Sequence, residues 1–223
     1  MSKRLAGVAV IFDLDGTLVD TAADLAAAMN HAIAADGLAP IALSSVRGLV
    51  GAGARVMMER AYALHGVDPA RLDMNARMDR FLDHYLAHIA DHSRVFAGAE
   101  SALSALSAEG AALAVCTNKR EPWARLLLDA LNLSGRFCAI VGPDTTGAAK
   151  PDPRPVLYCM EKAGAARGVF IGDSDTDIAA ARNASMPCVV ATFGYGPTEL
   201  RREAAALFED YAQLPGQVMR LVG

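Results

Sequence analysis

Four short polar clusters stand at or between apolar runs, and their residue types could do chemistry. Asp13-Leu14-Asp15-Gly16-Thr17 follows the run from Leu5 to Phe12, and Thr117-Asn118-Lys119 follows Ala111 to Cys116. Gly172-Asp173-Ser174-Asp175-Thr176-Asp177 follows Val169 to Ile171, and Lys150-Pro151-Asp152-Pro153 lies between the second and third of these clusters. If the apolar runs are parallel strands, the clusters meet in one crevice beyond the strands' carboxyl ends. Asp13, Asp15 and Asp173 would repel one another there unless a cation neutralised them. All-oxygen ligands select a hard ion, and Mg²⁺ is the usual one beside a phosphate. With Lys150, a threonine hydroxyl and loop amides, such a crevice favours a phosphate dianion. Two aspartates one residue apart can divide the labour, one ionised on the metal as nucleophile, the other as general acid and base. Gly16 lets the backbone turn tightly enough for loop amides to face the phosphoryl oxygens.

The elements that must position these residues alternate along the chain. Leu5 to Phe12 reads as a fully buried strand. Thr21 starts a helix, with Asp24 three residues on in the manner of a capping box, and Gly37 stops it. Further helices are expected over Ala54 to Leu64 and from Pro69 to about His92, with no strand between Thr21 and His92. The pattern then changes. Helices at Glu100 to Glu109, Pro122 to Leu131, Pro155 to Ala163 and Asp177 to Ala184 alternate with strands at Ala111 to Cys116, Cys138 to Val141, Val169 to Ile171 and Cys188 to Ala191. This predicts an α/β fold, a doubly wound parallel sheet covered on both faces. Residues 1–17 and 93–223 would form the core, and residues 18–92 an all-helical cap inserted after the first strand.

Asp13-Leu14-Asp15-Gly16-Thr17-Leu18-Val19-Asp20 resembles the first motif of haloacid-dehalogenase-type phosphatases. Thr117-Asn118 resembles their second motif, Lys150-Pro151 the third, and Gly172-Asp173 through Asp177 the fourth, in the family's order. The resemblance spans essentially the whole chain, and the helical insert is similar to the family's type-one cap. It implies that Asp13 attacks phosphorus and that Asp15 protonates the leaving alcohol, then activates water. It implies that Mg²⁺ is held by Asp13, the Asp15 backbone carbonyl and Asp173, with Asp177 in support. Thr117 and the Asn118 amide would bind phosphoryl oxygens, and Lys150 would neutralise charge. Asp177 would equally suit a helix cap.

The 223 residues are 53% hydrophobic and 21% charged, which fits a globule with a sizeable core. With 21 Lys+Arg against 25 Asp+Glu and no basic run, nucleic acid and anionic membrane surfaces are poor partners. No apolar run reaches the ~20 residues of a membrane span. The stretch after Lys3 and Arg4 is short, lacks a small-residue cleavage site and reads as a strand, not a signal peptide. Cys116, Cys138, Cys159 and Cys188 form no C-x-x-C pair and are expected as small core residues in a reducing cytoplasm. Gly48, Gly51 and Gly53 lack the dinucleotide-binding order. His84, His88 and His92 are expected on a solvated helix face, and Trp123 in packing.

Asp15 argues against a dehalogenase. The absence of any lysine between Arg4 and Lys119 argues against Schiff-base phosphonate chemistry. A phosphomutase keeps both aspartates and stays open. Receiver-type phospho-acceptors lack a cap. The cap stretch from Val46 to Ala54 resembles that of bacterial phosphoglycolate phosphatases, with sugar phosphate and pyrophosphate as alternative substrates. Arg47 and the amides around Gly51 are the expected partners of a substrate carboxylate. A monomer or homodimer with a mobile cap is expected, hinged near Leu18 to Thr21 and near His92 to Gly98.

Overall fold

A computed structural model describes residues 3–196 and 202–223. Its core is a six-stranded sheet ordered β5-β4-β1-β6-β7-β8, every neighbouring pair parallel. The strands are β1 (Val8–Phe12), β4 (Ala112–Cys116), β5 (Ala139–Val141), β6 (Arg167–Gly172), β7 (Cys188–Ala191) and β8 (Ala206–Phe208). β1 is buried at all five positions, because side chains alternate between two covered faces. Val8, Val10 and Phe12 join the larger core with the cap, α5 (Ala99–Ala108), α6 (Glu121–Ala130) and α10 (Leu214–Val222). Ala9 and Ile11 join a second core with α8 (Arg154–Ala163) and α9 (Asp175–Asn183). A short helix, α7 (Pro143–Thr146), follows β5. The middle position of β1, between β4 and β6, sets its carboxyl end at the centre of the crevice.

The insert begins and ends on a two-stranded antiparallel ribbon, β2 (Val19–Asp20) and β3 (Arg94–Val95), which pairs Val19 with Val95 and Asp20 with Arg94. Between them lie α1 (Ala22–Ala34), α2 (Leu43–Arg47), α3 (Ala54–Leu64) and α4 (Met74–Ala87). Met74, Met78, Phe81 and Tyr85 form the buried stripe of α4, at the i, i+4, i+7, i+11 spacing of one helix face.

Several local expectations change. The third cap segment is not one helix: a 3₁₀ turn, Pro69–Arg71, precedes α4, whose first amides are capped by the Asp73 carboxylate. Thr21 and Asp24 form no capping box. The Thr21 hydroxyl donates instead to Asp15, and the Tyr195 hydroxyl accepts from the amides of Thr21 and Ala22 at the start of α1. Asp24 is buried and accepts from the His92 and Ser93 amides and the Ser93 hydroxyl, tying α1 to the end of the insert. The helix ends at Ala34 rather than running to Gly37. Cys138 is exposed, while Cys116, Cys159 and Cys188 are buried.

Candidate active site

The loop after β1 carries Asp13 and Asp15 with different surroundings. Asp13 is 6% exposed. Its Oδ1 accepts from the Leu14 amide at 2.7 Å and pairs with Lys150 Nζ at 2.8 Å. Asp15 lies at the edge of the cavity, where Oδ1 accepts from the Thr21 hydroxyl at 2.7 Å and from Lys119 Nζ at 2.6 Å. Gly16 has φ +82°, and a Cβ there would fall 2.7 Å from an Asp173 oxygen, so the turn admits no side chain.

The β6 loop supplies the opposing acids. Asp173 accepts from the Thr17 hydroxyl at 2.8 Å and from the amides of Tyr195 and Gly196 at 2.7 and 3.1 Å. Asp177 has no exposed surface. One oxygen pairs with Lys150 at 2.6 Å. The other takes the Asp173 amide and the Ser174 amide and hydroxyl, a capping box at the start of α9. Asp177 therefore both caps its helix and holds Lys150.

Lys150 follows α7 and precedes a cis bond to Pro151. Its loop is clipped to the β4 loop through Asn118, whose Oδ1 accepts from the Lys150 amide at 2.8 Å and whose Nδ2 donates to the Lys150 carbonyl at 3.1 Å. The same Nδ2 donates to the Gly51 carbonyl at 3.0 Å, so one side chain joins two core loops to the cap. Thr117 is 3% exposed, and its Oγ1 accepts from the Lys119 amide at 3.1 Å.

Asp13, Asp173 and Asp177 each offer an oxygen within 4.8 Å of the others, the metal-competent group found among the described residues. Burial first, then Asp177, pushes the Asp13 carboxyl well above its ordinary value despite Lys150, with Asp173 adding to the rise. Burial and Asp177 push Asp173 up to about 6, against the pull of the Tyr195 amide, the Thr17 hydroxyl and the Gly196 amide. Burial disfavours the Lys150 charge, but Asp13 and Asp177 outweigh it and hold its pKa above the ordinary value. Two of the three acids thus resist ionisation at this density of negative charge. An all-oxygen donor set with that resistance fits a hard divalent cation.

A cavity of about 50 Å³ lies between this floor and the cap. Asp13, Asp15, Thr117, Asn118 and Gly51 line it together with Lys119, Tyr85 and Trp123. Arg47 is brought elsewhere: it pairs with Asp20 at 3.2 Å and lies over the Tyr195 ring, outside the cavity lining. Trp123 lines the cavity, where packing alone was expected. Sequence reasoning missed Lys119, Tyr85 and Tyr195. Lys119 carried the same signal as Thr117 and Asn118, a polar residue at a strand's carboxyl end. Tyr85 sits on an apolar helix stripe that reads only as packing.

A doubly wound parallel sheet with paired aspartates ending its central strand, a buried lysine and an acidic loop opposite is the core of a hydrolase of Rossmann-like architecture with a helical insert after β1. The family model for haloacid dehalogenase-like hydrolases matches residues 10–191. The chain belongs to that family. It is 46% identical over 217 residues to the phosphoglycolate phosphatase of Agrobacterium fabrum, covering 96% of this chain and 93% of the relative. It is 46% identical over 193 residues to that of Caulobacter vibrioides, covering 86% and 81%. A crystal structure of a predicted phosphoglycolate phosphatase from Haemophilus somnus superposes with a TM-score of 0.85 at 29% identity, covering 92% of this chain and 95% of the other.

Proposed function

We propose that this phosphoric monoester hydrolase cleaves 2-phosphoglycolate to glycolate and phosphate, with Mg²⁺ and through a phospho-aspartate on Asp13. The observation that carries the chemistry is the pairing of Asp13 with Lys150 at 2.8 Å, with Asp15 two residues on at the same small cavity. The names of the two relatives at 46% identity support the substrate. The size of the cavity, about 50 Å³, supports a leaving group of few atoms.

In this reading Asp13, Asp173 and the Asp15 backbone carbonyl hold Mg²⁺, which neutralises negative charge around the phosphate when bound. Asp13 attacks phosphorus in line. Lys150 balances the charge of Asp13, and Asp177 fixes the ammonium from behind and supports the metal ligands indirectly. Thr117, through its hydroxyl, and Asn118, through its backbone amide, hold phosphoryl oxygens. Asp15, oriented by the Thr21 hydroxyl, gives its proton to the leaving oxygen and later takes one from the water that opens the phospho-aspartate. The cap, resting on Asn118 through Gly51, excludes bulk water, and substrate enters as it swings on the β2–β3 ribbon.

The test is a comparison of kcat/KM for phosphoglycolate, hexose phosphates and pyrophosphate on purified protein with Mg²⁺. The expected outcome is a preference of at least tenfold for phosphoglycolate, about 1.4 kcal/mol of transition-state binding. A tenfold preference for a sugar phosphate moves the assignment to a sugar phosphatase. Transfer of the phosphoryl group to an acceptor sugar makes the protein a mutase.

A further inference from the structure

The cap side of the cavity is apolar, with Val50, Met57, Phe81 and Leu82 opposite Trp123 of the core. Next to Asp15 that lining is interrupted by Lys119, from the β4 loop, and Tyr85, from α4. Lys119 Nζ donates to Asp15 Oδ1 at 2.6 Å and to the Tyr85 hydroxyl oxygen at 2.7 Å. An ammonium has three donors, so a third N–H remains uncommitted among the described contacts. The Tyr85 hydroxyl accepts from Lys119 and still has its own proton to donate, with no acceptor among the described contacts. Both groups are buried, Lys119 with 7% of its side chain exposed and Tyr85 with 1%. Uncommitted donors in a buried, otherwise apolar wall are costly unless a ligand accepts from them.

We infer that Lys119 and Tyr85 are specificity-determining residues that bind a carboxylate one carbon beyond the ester oxygen of the substrate. The inference rests on the phosphoglycolate reading above and names the cation that reading needs. The Nζ and hydroxyl oxygen lie 2.7 Å apart, comparable with the two oxygens of one carboxylate. A leaving oxygen that takes its proton from Asp15 sits beside Lys119, because the two side chains are in contact. A group one carbon further on therefore reaches the pair. A polyol at the same place would offer the third N–H of Lys119 only a neutral acceptor and press hydroxyls against Met57 and Phe81. Arg47, committed to Asp20 outside the cavity lining, is not needed for this role.

The experiment compares kcat/KM for 2-phosphoglycolate and for 2-hydroxyethyl phosphate, which lacks the carboxylate, on the full chain with Mg²⁺. In Lys119→Met the ratio of the two values should fall about 100-fold, chiefly through a higher KM for phosphoglycolate. In Tyr85→Phe, which keeps the ring and removes one donor, it should fall about tenfold. Lys119→Arg should retain more of the ratio than Lys119→Met. Equal losses on both esters in Lys119→Met would assign Lys119 to positioning Asp15 alone and overturn the inference. If Lys119→Met does not fold, an unchanged ratio in folded Tyr85→Phe overturns it. A wild-type ratio near one overturns the phosphoglycolate reading and this inference together. A high wild-type ratio kept by the variants overturns only the inference.

Discussion

On the crevice floor, Asp13, Lys150, Asp173 and Asp177 are each less than a tenth exposed, and each is held by charged partners or loop amides. In the cap the arrangement is reversed. The face toward the cavity is apolar, and the charged cluster of Asp36 with Arg77 and Arg80 is partly open to solvent. The floor is defined by charge balance, which demands particular residue types at particular strand ends. The cap is defined by shape, which many apolar sequences satisfy. In the proposed function, reaction chemistry belongs to the first region and choice of leaving group to the second, with Lys119 and Tyr85 at their boundary.

The sharpest way to break this comparison is Asp13→Asn. Turnover should fall by about 10⁴-fold or more, since an amide cannot attack phosphorus. Circular dichroism and melting should show an intact fold, because burial already penalises the Asp13 charge. Activity near wild type in that folded variant would remove the floor's catalytic role. Chelation comes next. EDTA should abolish turnover and Mg²⁺ restore it, with Ca²⁺ inhibiting through its looser coordination. Full activity in a metal-free sample would contradict the reading of the acidic cluster.

Smaller effects concern stability. Lys150→Met leaves Asp13 and Asp177 buried without their cation and should cost about 3 kcal/mol, read by urea unfolding. The Asp36 cluster should matter less. Burial would raise the Asp36 pKa, but the Tyr62 hydroxyl, Arg80 and Arg77 outweigh it and hold it below the ordinary 3.8. A folded pKa below the unfolded one means the stabilisation is present above about pH 4 and lost as pH falls through the folded value. Asp36→Asn should therefore cost about 1 kcal/mol near pH 7, and the difference from wild type should vanish toward pH 2. A loss as large as that of Lys150→Met would erase the contrast between the two regions.

The same contrast explains what was legible in the sequence. Asp13, Asp15, Lys150 and Asp173 stand at or between strand ends, where a carboxylate or lysine needs a chemical reason, and the parallel sheet gathers them into one crevice. The α/β alternation was readable because continuous apolar runs imply burial on two faces. β8 and α10 were not expected. β8 has only three residues, and α10 carries Pro215 and Gly216 in its first turn, which mask the Leu214, Val218 and Val222 stripe. Tyr195 escaped notice because its contacts are long-range. Its amide holds Asp173 while its hydroxyl caps α1 and donates to Asp20, about 175 residues away in sequence. Arg47 was expected at the substrate from its place in a cap without lysine and from its two-pronged donors, and in the structure it pairs with Asp20.

The β2–β3 ribbon has a further consequence for modularity. Because Val19 pairs with Val95 and Asp20 with Arg94, the two ends of the insert leave the core side by side. Joining them needs only a short turn, and loop-closure entropy depends weakly on how many residues lie between. The insert is thus a cassette: it can lengthen, shrink or be exchanged without rethreading a single strand of the sheet. On the proposed function, a lineage or a protein engineer could alter what the enzyme accepts by trading that cassette, while the strand-end residues of the core stayed in place.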